Sequence, residues 1–200
     1  MNKKIAILGA GGHGKVVGEI ASLNEYQTID FFDDAVNILS KNFLYPIVGN
    51  SNDLENNLKN YDAHFVAIGN NQIRFEKMNW LSKLNIKFVN LVHPKSTISK
   101  NIILGAGICI MAQAVINPGS SVGNGAIINT ASVIDHDCLI EDFVHISPNC
   151  SLSGNVKVGK FTHMGTGSSV HPSVCIGTNV KVGVGAKIFK DIKDGFIFID

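Results

Sequence analysis

An aliphatic residue or a methionine recurs at every sixth position through the second half of the chain. The repeated residues are Ile98, Leu104, Ile110, Ile116, Val122, Ile128, Ile134, Ile140, Ile146, Leu152, Val158, Met164, Val170, Ile176, Val182 and Ile188. The residue two positions earlier is usually small, and glycine often follows directly. This period predicts hexapeptide repeats, each with one short strand whose aliphatic residue points inward. We expect the small residue to share that inward face and the glycine to permit the corner.

Three such hexads close one triangular coil, so the pattern predicts a prism-shaped parallel β-helix of about five coils. A parallel sheet of the α/β type is the alternative interpretation. It would need helix-length connections between strands, and none fits within this period. Residues 101–188 also hold only eight charged side chains, too few for the polar faces of amphipathic helices.

The first half has a different pattern, typical of a Rossmann-like α/β unit. A buried strand over 4–8 is followed by a glycine-rich turn, and residues 15–22 have helical periodicity. Further strands are predicted over 28–32, 64–68 and 87–92, with a helix over 72–84. We therefore predict an α/β domain over residues 1–93 and a β-helix domain over residues 94–200.

Composition narrows the function classes. Hydrophobic residues make up 45% of the chain, charged residues 16%, and the net charge is +1, so disorder is excluded. With no basic run, no signal peptide and no long apolar stretch, we expect a cytoplasmic protein without a nucleic acid partner or a membrane span. The cysteines have no C-x-x-C pairing, and we expect small buried residues rather than disulfides or zinc ligands; they are Cys109, Cys138, Cys150 and Cys175.

The turn after the first strand has the G-x-G-x-x-G spacing at Gly9, Gly11 and Gly14, and Asp33-Asp34 follow at the end of the second strand. Glycines let a phosphate approach the backbone, and the helix N-terminus favours an anion. Because one mononucleotide half is present, we predict a nucleotide or nucleotide-sugar site rather than a dinucleotide site. A purely structural tight turn is the alternative.

Two further features bear on this site. The spacing also fits a P-loop, but Val16 stands where a magnesium-binding hydroxyl is needed, which argues against an ATPase. Gly69, Asn70 and Arg74 follow another strand and should open at the same sheet edge as the glycine turn. These residues are a second candidate wall of the nucleotide site, although Arg74 could instead be a solvated helix residue.

The β-helix half has its own candidate site around His136 and His145, which lie outside the inward positions. Asp137 directly follows His136 and could fix its tautomer and raise its basicity, which suits a general base. A solvated corner is one alternative. A metal cluster of these three residues with Asp142 is another, but its spacing matches no standard ligand pattern.

The two histidines are nine residues apart, half of one coil, so they cannot easily converge within one prism. A closed trimer with heterologous contacts would bring His136 of one copy next to His145 of its neighbour. We therefore predict a homotrimer. His163 and His171 lack acidic neighbours in the sequence, and we interpret them as surface residues.

Together these residues resemble the bacterial acetyl-CoA-dependent sugar acyltransferases that combine a small nucleotide-binding domain with a left-handed hexapeptide β-helix. The resemblance is greatest to the N-acetyltransferases of UDP-linked 2-acetamido-4-amino-trideoxy sugars, and sialic acid O-acetyltransferases are near relatives. It is carried by residues 9–14, 32–34, 67–74, 90–94, 129–130 and 133–145.

The resemblance implies acetyl-CoA as co-substrate, a UDP-amino-sugar as acceptor, and no metal. His136 matches the general base, and Asp137 matches the acidic residue that orients it. The implied cofactor residues are His145, Gly154, Gly165 and Val184. The implied substrate residues are Asn129 for the sugar and Gly11, Gly12, His13, Asp33, Asp34, Gly69, Asn70 and Arg74 for the nucleotide.

One departure concerns the cofactor, because the Gly-x-Pro-Ala-Lys segment usual in relatives is not found after Gly195. It affects the expected CoA contacts around Val184 and Lys187. Two alternatives to N-acetyl transfer stay open: O-acetylation of sialic acid or another sugar, and a non-catalytic, trimeric nucleotide-sugar-binding protein. The His136-Asp137 pair favours an enzyme, because assembly alone would not need it.

Overall fold

The computed structural model describes residues 2–35 and 44–199. The chain divides into two compact units, Met1–Leu91 and Val92–Asp200. The boundary falls inside a two-residue strand, β5, Leu91–Val92.

The first unit is built on a four-stranded parallel sheet with the order β3-β2-β1-β4. Its strands are β1 Lys4–Leu8, β2 Thr28–Phe32, β3 Ile47–Gly49 and β4 Ala63–Val66. Its helices are α1 Gly12–Leu23, α2 Ser51–Asn57 and α3 Asn71–Lys83, and a 3₁₀ turn covers Leu58–Asn60. Apolar residues of the two central strands, β1 and β2, are buried, among them Ile5, Ile7 and Phe31. Because the glycine turn directly follows β1, it lies at the carboxyl edge of the sheet.

Several element predictions need correction. The segment 87–92 does not form one continuous strand. Phe88 makes an isolated bridge to His64, and within this segment only Leu91–Val92 forms a strand, β5. Helix α1 begins at Gly12 rather than at residue 15, so His13 lies in its first turn. Strand β3 and helix α2 were not predicted. Helix α2 begins at a capping box, in which Asn50 accepts the N–H of Asp53 and the Asp53 carboxylate accepts that of Asn50.

The second unit is a parallel β-helix of two-residue strands, as the hexad pattern predicts. Strands pair with the strand eighteen residues later, as Ser121 does with Leu139, except in the last coil, where Lys181 pairs with Ile197. The strands are β6 Thr97–Ile98, β7 Ile103–Leu104, β8 Cys109–Ile110, β9 Val115–Ile116, β10 Ser121–Val122, β11 Ile127–Ile128, β12 Val133–Ile134, β13 Leu139–Ile140, β14 His145–Ile146, β15 Ser151–Leu152, β16 Lys157–Val158, β17 His163–Met164, β18 Ser169–Val170, β19 Cys175–Ile176, β20 Lys181–Val182, β21 Lys187–Ile188 and β22 Ile197–Phe198. They form three sheets, one for each side of the triangle.

The inward residues behave as predicted, but the glycines do not. The repeated aliphatic residues and the small residues two positions earlier form one buried core. Three of the four cysteines are buried as expected, but Cys175 is exposed, which corrects the prediction for that residue. The left-handed backbone conformation falls three residues after the inward position, at every sixth residue from Gly107 to Gly185. The glycine after the inward residue has another role. A Cβ on Gly165 would lie 2.5 Å from the carbonyl carbon of Gly183, so this glycine permits close contact between coils.

Candidate active site

His136 lies on a corner, two residues after the end of β12. Its side chain is 60% exposed, and its Nδ1 atom lies 2.8 Å from Oδ2 of Asp137. Asp137 occupies the left-handed corner position, with φ of 60°. The corner geometry therefore turns the Asp137 carboxylate back towards the neighbouring imidazole. With Nδ1 held by this carboxylate, Nε2 is left as the basic nitrogen.

Two carboxylates make this imidazole more basic. The hydrogen bond to Asp137 raises the pKa of His136, and the negative charge of Asp135 raises it further. The pKa of Asp135 is itself lowered, first by the hydrogen bond that its Oδ1 accepts from Asn117 and then by the backbone N–H of His136. The arrangement gives an exposed proton acceptor with a fixed orientation, as general base catalysis requires.

The neighbouring coils support this corner from both sides. Asp137 donates its backbone N–H to the carbonyl of Pro118 in the preceding coil. On the other side, a Cβ on Gly154 would lie 2.5 Å from both Cε1 and Nε2 of His136, so the imidazole packs on bare backbone. Gly154, which the resemblance assigns to the acetyl thioester, is thus in contact with the candidate base.

His145 lies on β14, in another sheet of the prism, and its surroundings were only partly predicted. Its Nε2 lies 3.2 Å from Nδ2 of Asn129, the residue expected to contact sugar. Its ring stacks on that of His163, with centroids 4.6 Å apart and planes 13° apart. Ser147 Oγ lies 3.0 Å from Nε2 of His163. His163 is exposed, as predicted for a surface residue, but its contacts with His145 and Ser147 were not predicted. The signal for the stack was the eighteen-residue spacing of His163 from His145, which is one coil.

The other predicted cofactor residues lie elsewhere in the prism. Gly165 contacts the backbone of the next coil, and Val184 is 81% exposed. Lys187, beside Phe189 and Phe196, lines a surface cavity of about 440 Å³. The alternative of a metal cluster gains no support, because the described residues contain no group of three or more histidines, cysteines and acidic residues that could hold a metal ion.

In the first unit, the glycines of the turn divide into two kinds. A Cβ on Gly9 would lie 2.8 Å from the carbonyl oxygen of Ala67, and one on Gly14 would collide with the carbonyl oxygen of Gly9. These two glycines are needed for packing. A Cβ on Gly11, Gly12 or Gly69 would meet no atom within 4 Å, so these three leave open space beside the backbone.

The two predicted acidic residues are both engaged within the chain. Asp33 accepts the backbone N–H of Ala10 at 2.7 Å and so holds the glycine turn. Asp34 accepts the N–H and the hydroxyl of Ser51 and pairs with Lys77 at 2.9 Å. Partial burial alone would raise the pKa of Asp34, but the hydrogen bonds from Ser51 and Lys77 outweigh it, and the pKa is lowered.

The second wall is organised by Arg74, which is fully buried rather than solvated. Its guanidinium donates to the carbonyls of Ile68 and Gly69 and to the Asn71 side chain. Asn70 caps α3 by accepting the N–H of Ile73. Arg74 therefore fixes the loop that carries Gly69.

His13, in the first turn of α1, is half-buried. Desolvation, followed by the positive charge of Arg74, lowers the pKa of His13 to about 4, so its ring is neutral at pH 7. Its Nε2 atom is buried and makes no hydrogen bond. A buried polar atom without a partner is costly, which makes it a candidate to bind a ligand beside the glycine turn.

None of the helices in the described ranges combines the length and the apolar character that a membrane crossing requires.

Residues 4–81 match the family described as PglD N-terminal domain. Among solved structures, the chain is similar to the acetyltransferase domain of PglB from Neisseria gonorrhoeae in complex with acetyl coenzyme A, with 41% identity, a TM-score of 0.92, and coverage of 98% of this chain and 95% of that chain. It is also similar to PerB from Caulobacter crescentus in complex with CoA and GDP-perosamine, with 34% identity, a TM-score of 0.89, and coverage of 97% and 92%.

Among curated proteins, the UDP-N-acetylbacillosamine N-acetyltransferase of Bacillus subtilis is 34% identical over 113 residues, which are 55% of this chain and 52% of that protein. The chain spans about half the length of the curated relatives it matches. The similarity to the two solved structures extends over more than nine-tenths of each chain.

Proposed function

The chain belongs to the family of sugar acetyltransferases with a left-handed hexapeptide β-helix, and we propose that it transfers the acetyl group of acetyl-CoA to an amino group of a nucleotide-linked amino sugar. The PglB domain structure is a complex with acetyl coenzyme A, and the PerB structure is a complex with CoA and GDP-perosamine. Within this chain, the proposal is carried by the exposed imidazole of His136, with a carboxylate 2.8 Å from its Nδ1.

The chemistry follows from this geometry. The amine nitrogen of the sugar attacks the carbonyl carbon of the thioester, the C–S bond breaks, and amide and thiol are the products. Nε2 of His136 accepts the proton that the amine loses, and the Asp137 carboxylate stabilises the resulting imidazolium through Nδ1. The proton finally leaves with the CoA thiol or with solvent.

His145 and Asn129 supply binding groups rather than the base. We assign His145 to the acetyl thioester and Asn129 to the sugar, and the 3.2 Å contact between them supports placing these two parts of the reaction next to each other. His136 follows β12 and His145 lies on β14, which belong to different sheets. We therefore infer a homotrimer in which one copy supplies His136 and its neighbour supplies His145 to a shared cleft.

The nucleotide is assigned to the first unit. Open backbone at Gly11, Gly12 and Gly69 offers space for a diphosphate beside the N-terminus of α1, a twelve-residue helix. The unpartnered Nε2 of His13 offers a neutral hydrogen-bonding group. We infer a UDP-linked sugar with a free 4-amino group, used in glycan biosynthesis in the cytoplasm.

An acetyl-transfer assay tests the proposal. Purified protein is mixed with acetyl-CoA and, separately, a UDP-linked 4-amino sugar, a GDP-linked 4-amino sugar and sialic acid, and release of free thiol is followed. We expect release with the UDP-linked amine and little with the other two acceptors. Release with GDP-perosamine alone would move the nucleotide assignment to GDP, and release with sialic acid alone would overturn N-acetylation.

A further inference from the structure

Three polar residues, His145, His163 and Lys181, follow one another across the sheet that contains β14, β17 and β20. His145 and His163 occupy the same position in consecutive coils, because β14 and β17 pair in parallel and in register. Their rings therefore stack almost parallel, with centroids 4.6 Å apart. In the same register, Ile127 lies on one side of the pair and Lys181 on the other.

The orientation of the Asn129 amide determines the tautomer of His145. Oδ1 of Asn129 accepts the backbone N–H of Thr130 at 2.8 Å. The amide nitrogen is therefore the group that faces Nε2 of His145, 3.2 Å away. An N–H donor opposite Nε2 requires that nitrogen to be an acceptor, so the ring proton of His145 resides on Nδ1.

His163 holds the plane of the same ring. It covers one face of the His145 imidazole, and its own Nε2 is within 3.0 Å of the Ser147 hydroxyl. Asn129 fixes an edge of the His145 ring and His163 fixes a face, so both tilt and ring flip are opposed. An aromatic stack of this kind contributes energy beyond simple burial.

We propose that His163 is a positioning residue for acetyl transfer: by stacking, it keeps His145 in one orientation as the neutral Nδ1–H tautomer, with Asn129 as the second support. The proposal rests on the proposed function for the role of His145 at the thioester. The ring state itself is a property of the protein without substrate and can be measured separately.

Nitrogen NMR of histidine-labelled protein without substrates is the first test. We expect His145 to give the Nδ1–H pattern in the wild type and in His163→Phe, which keeps a planar ring in the stack. His163→Ala should broaden or shift these signals, and so should Asn129→Ala. An Nε2–H pattern in the wild type, or an unchanged His145 signal in His163→Ala, would overturn the proposal even if the protein transferred no acetyl group to any acceptor tested.

Steady-state kinetics are the second test. His163→Ala should lower kcat/KM for acetyl-CoA by about 3- to 10-fold, the loss expected for an aromatic pair, while His163→Phe stays within about twofold of the wild type. The stacked Phe143 and Phe161 rings indicate that phenylalanine is tolerated at consecutive coils of this prism. His171→Ala, which removes a histidine whose ring neighbour is Phe189, is the matched control. Equal losses in His163→Ala and His163→Phe would exclude stacking as the cause.

Discussion

The imidazole of His136 shows how sequence neighbours can set the chemistry of an exposed group. Asp137 holds Nδ1 and Asp135 adds negative charge, although the side chain lies largely in solvent. Short-range hydrogen bonds persist in water better than bare charge–charge attraction does. The basicity of this residue should therefore depend more on the Asp137 contact than on the overall charge of the prism.

Removing the base should abolish most of the activity without unfolding the protein. We expect His136→Ala to lower kcat by about 10²- to 10⁴-fold while leaving the KM for acetyl-CoA nearly unchanged, because the ring contributes little to the core. Steady-state rates and thermal melting check both parts. Retention of more than about half of the wild-type kcat would identify another residue as the base.

Asp137→Asn should shift the pH dependence as well as the rate. A base works in its neutral form, so the rate falls as the pH drops through the pKa of His136. The Asp137 hydrogen bond raises that pKa, and its loss should move the acidic limb of the kcat/KM profile to lower pH, with a partial loss of maximal rate. A limb that stays in place or moves to higher pH would contradict this assignment.

His13 should make the protein less stable in acid. Its pKa is about 4 in the folded state and about 6.5 in the unfolded chain, so the unfolded state binds a proton first as the pH falls. Little stability is lost above about pH 6.5, and about 2 to 3 kcal/mol is lost by pH 4.5. Denaturant titrations of wild type and His13→Gln at pH 7 and 4.5 measure this term. A difference between the two proteins that is the same at both pH values would refute it.

For single residues, the sequence indicates which side chains are candidates for a functional role but not all of their contacts. The adjacency of His136 and Asp137 is local and therefore readable from the chain. The stack of His145 on His163 depends on the eighteen-residue register, which the hexads already imply. The engagement of Asp34 by Ser51 and Lys77 could not be predicted, because α2 was not recognised in the sequence.

At the scale of the element, the glycines of the prism are explained by contacts between coils rather than by their own turns. The left-handed corner residues include Asn, Asp, Phe and Ser, so most corners tolerate a side chain. Gly165 and Gly183 occupy equivalent positions one coil apart, yet only Gly165 faces backbone closely. Comparing alanine at these two positions therefore tests whether close packing between coils is the reason for glycine at position 165.

Gly165→Ala should destabilise the prism, and Gly183→Ala should not. A Cβ at position 165 would lie 2.5 Å from the carbonyl oxygen of Gly183, whereas at position 183 the nearest atom is 3.4 Å away. Overpacking of this kind costs about 1–3 kcal/mol, and the control should change stability by less than about 0.5 kcal/mol. Denaturant titrations measure the free energy of unfolding of both variants. Equal losses of stability would show that contact with the next coil is not the reason for glycine at position 165.

The elements of the prism were predictable because one strict period specifies strand, inward face and register together. The elements of the α/β unit were less predictable, because they depend on contacts between residues that are distant in the sequence. The segment 87–92 has strand-like residues, but only an isolated bridge at Phe88 and the short β5 form there. Helix α2 is brief and polar, and its signal is a capping box rather than an apolar stripe.

For the whole molecule, the decisive question is whether active sites are shared between copies. A mixture of His136→Ala and His145→Ala chains, unfolded and refolded together, should regain activity that neither variant has alone, because some clefts combine two intact residues. Random mixing of trimers gives about a quarter of the wild-type activity. Light scattering should report a trimer for both parents. A mixture as inactive as its components would indicate that each copy carries a complete site.

The bonds that hold the glycine turn and the loop after β4 have a thermodynamic consequence. Asp33 fixes the turn through Ala10, and Arg74 fixes the carbonyls of Ile68 and Gly69, all without a ligand. A nucleotide entering there would meet backbone whose conformational entropy was already lost when the chain folded. Its affinity would therefore not be reduced by the cost of ordering these loops, and truncating Arg74 should weaken binding chiefly by making the binding entropy less favourable.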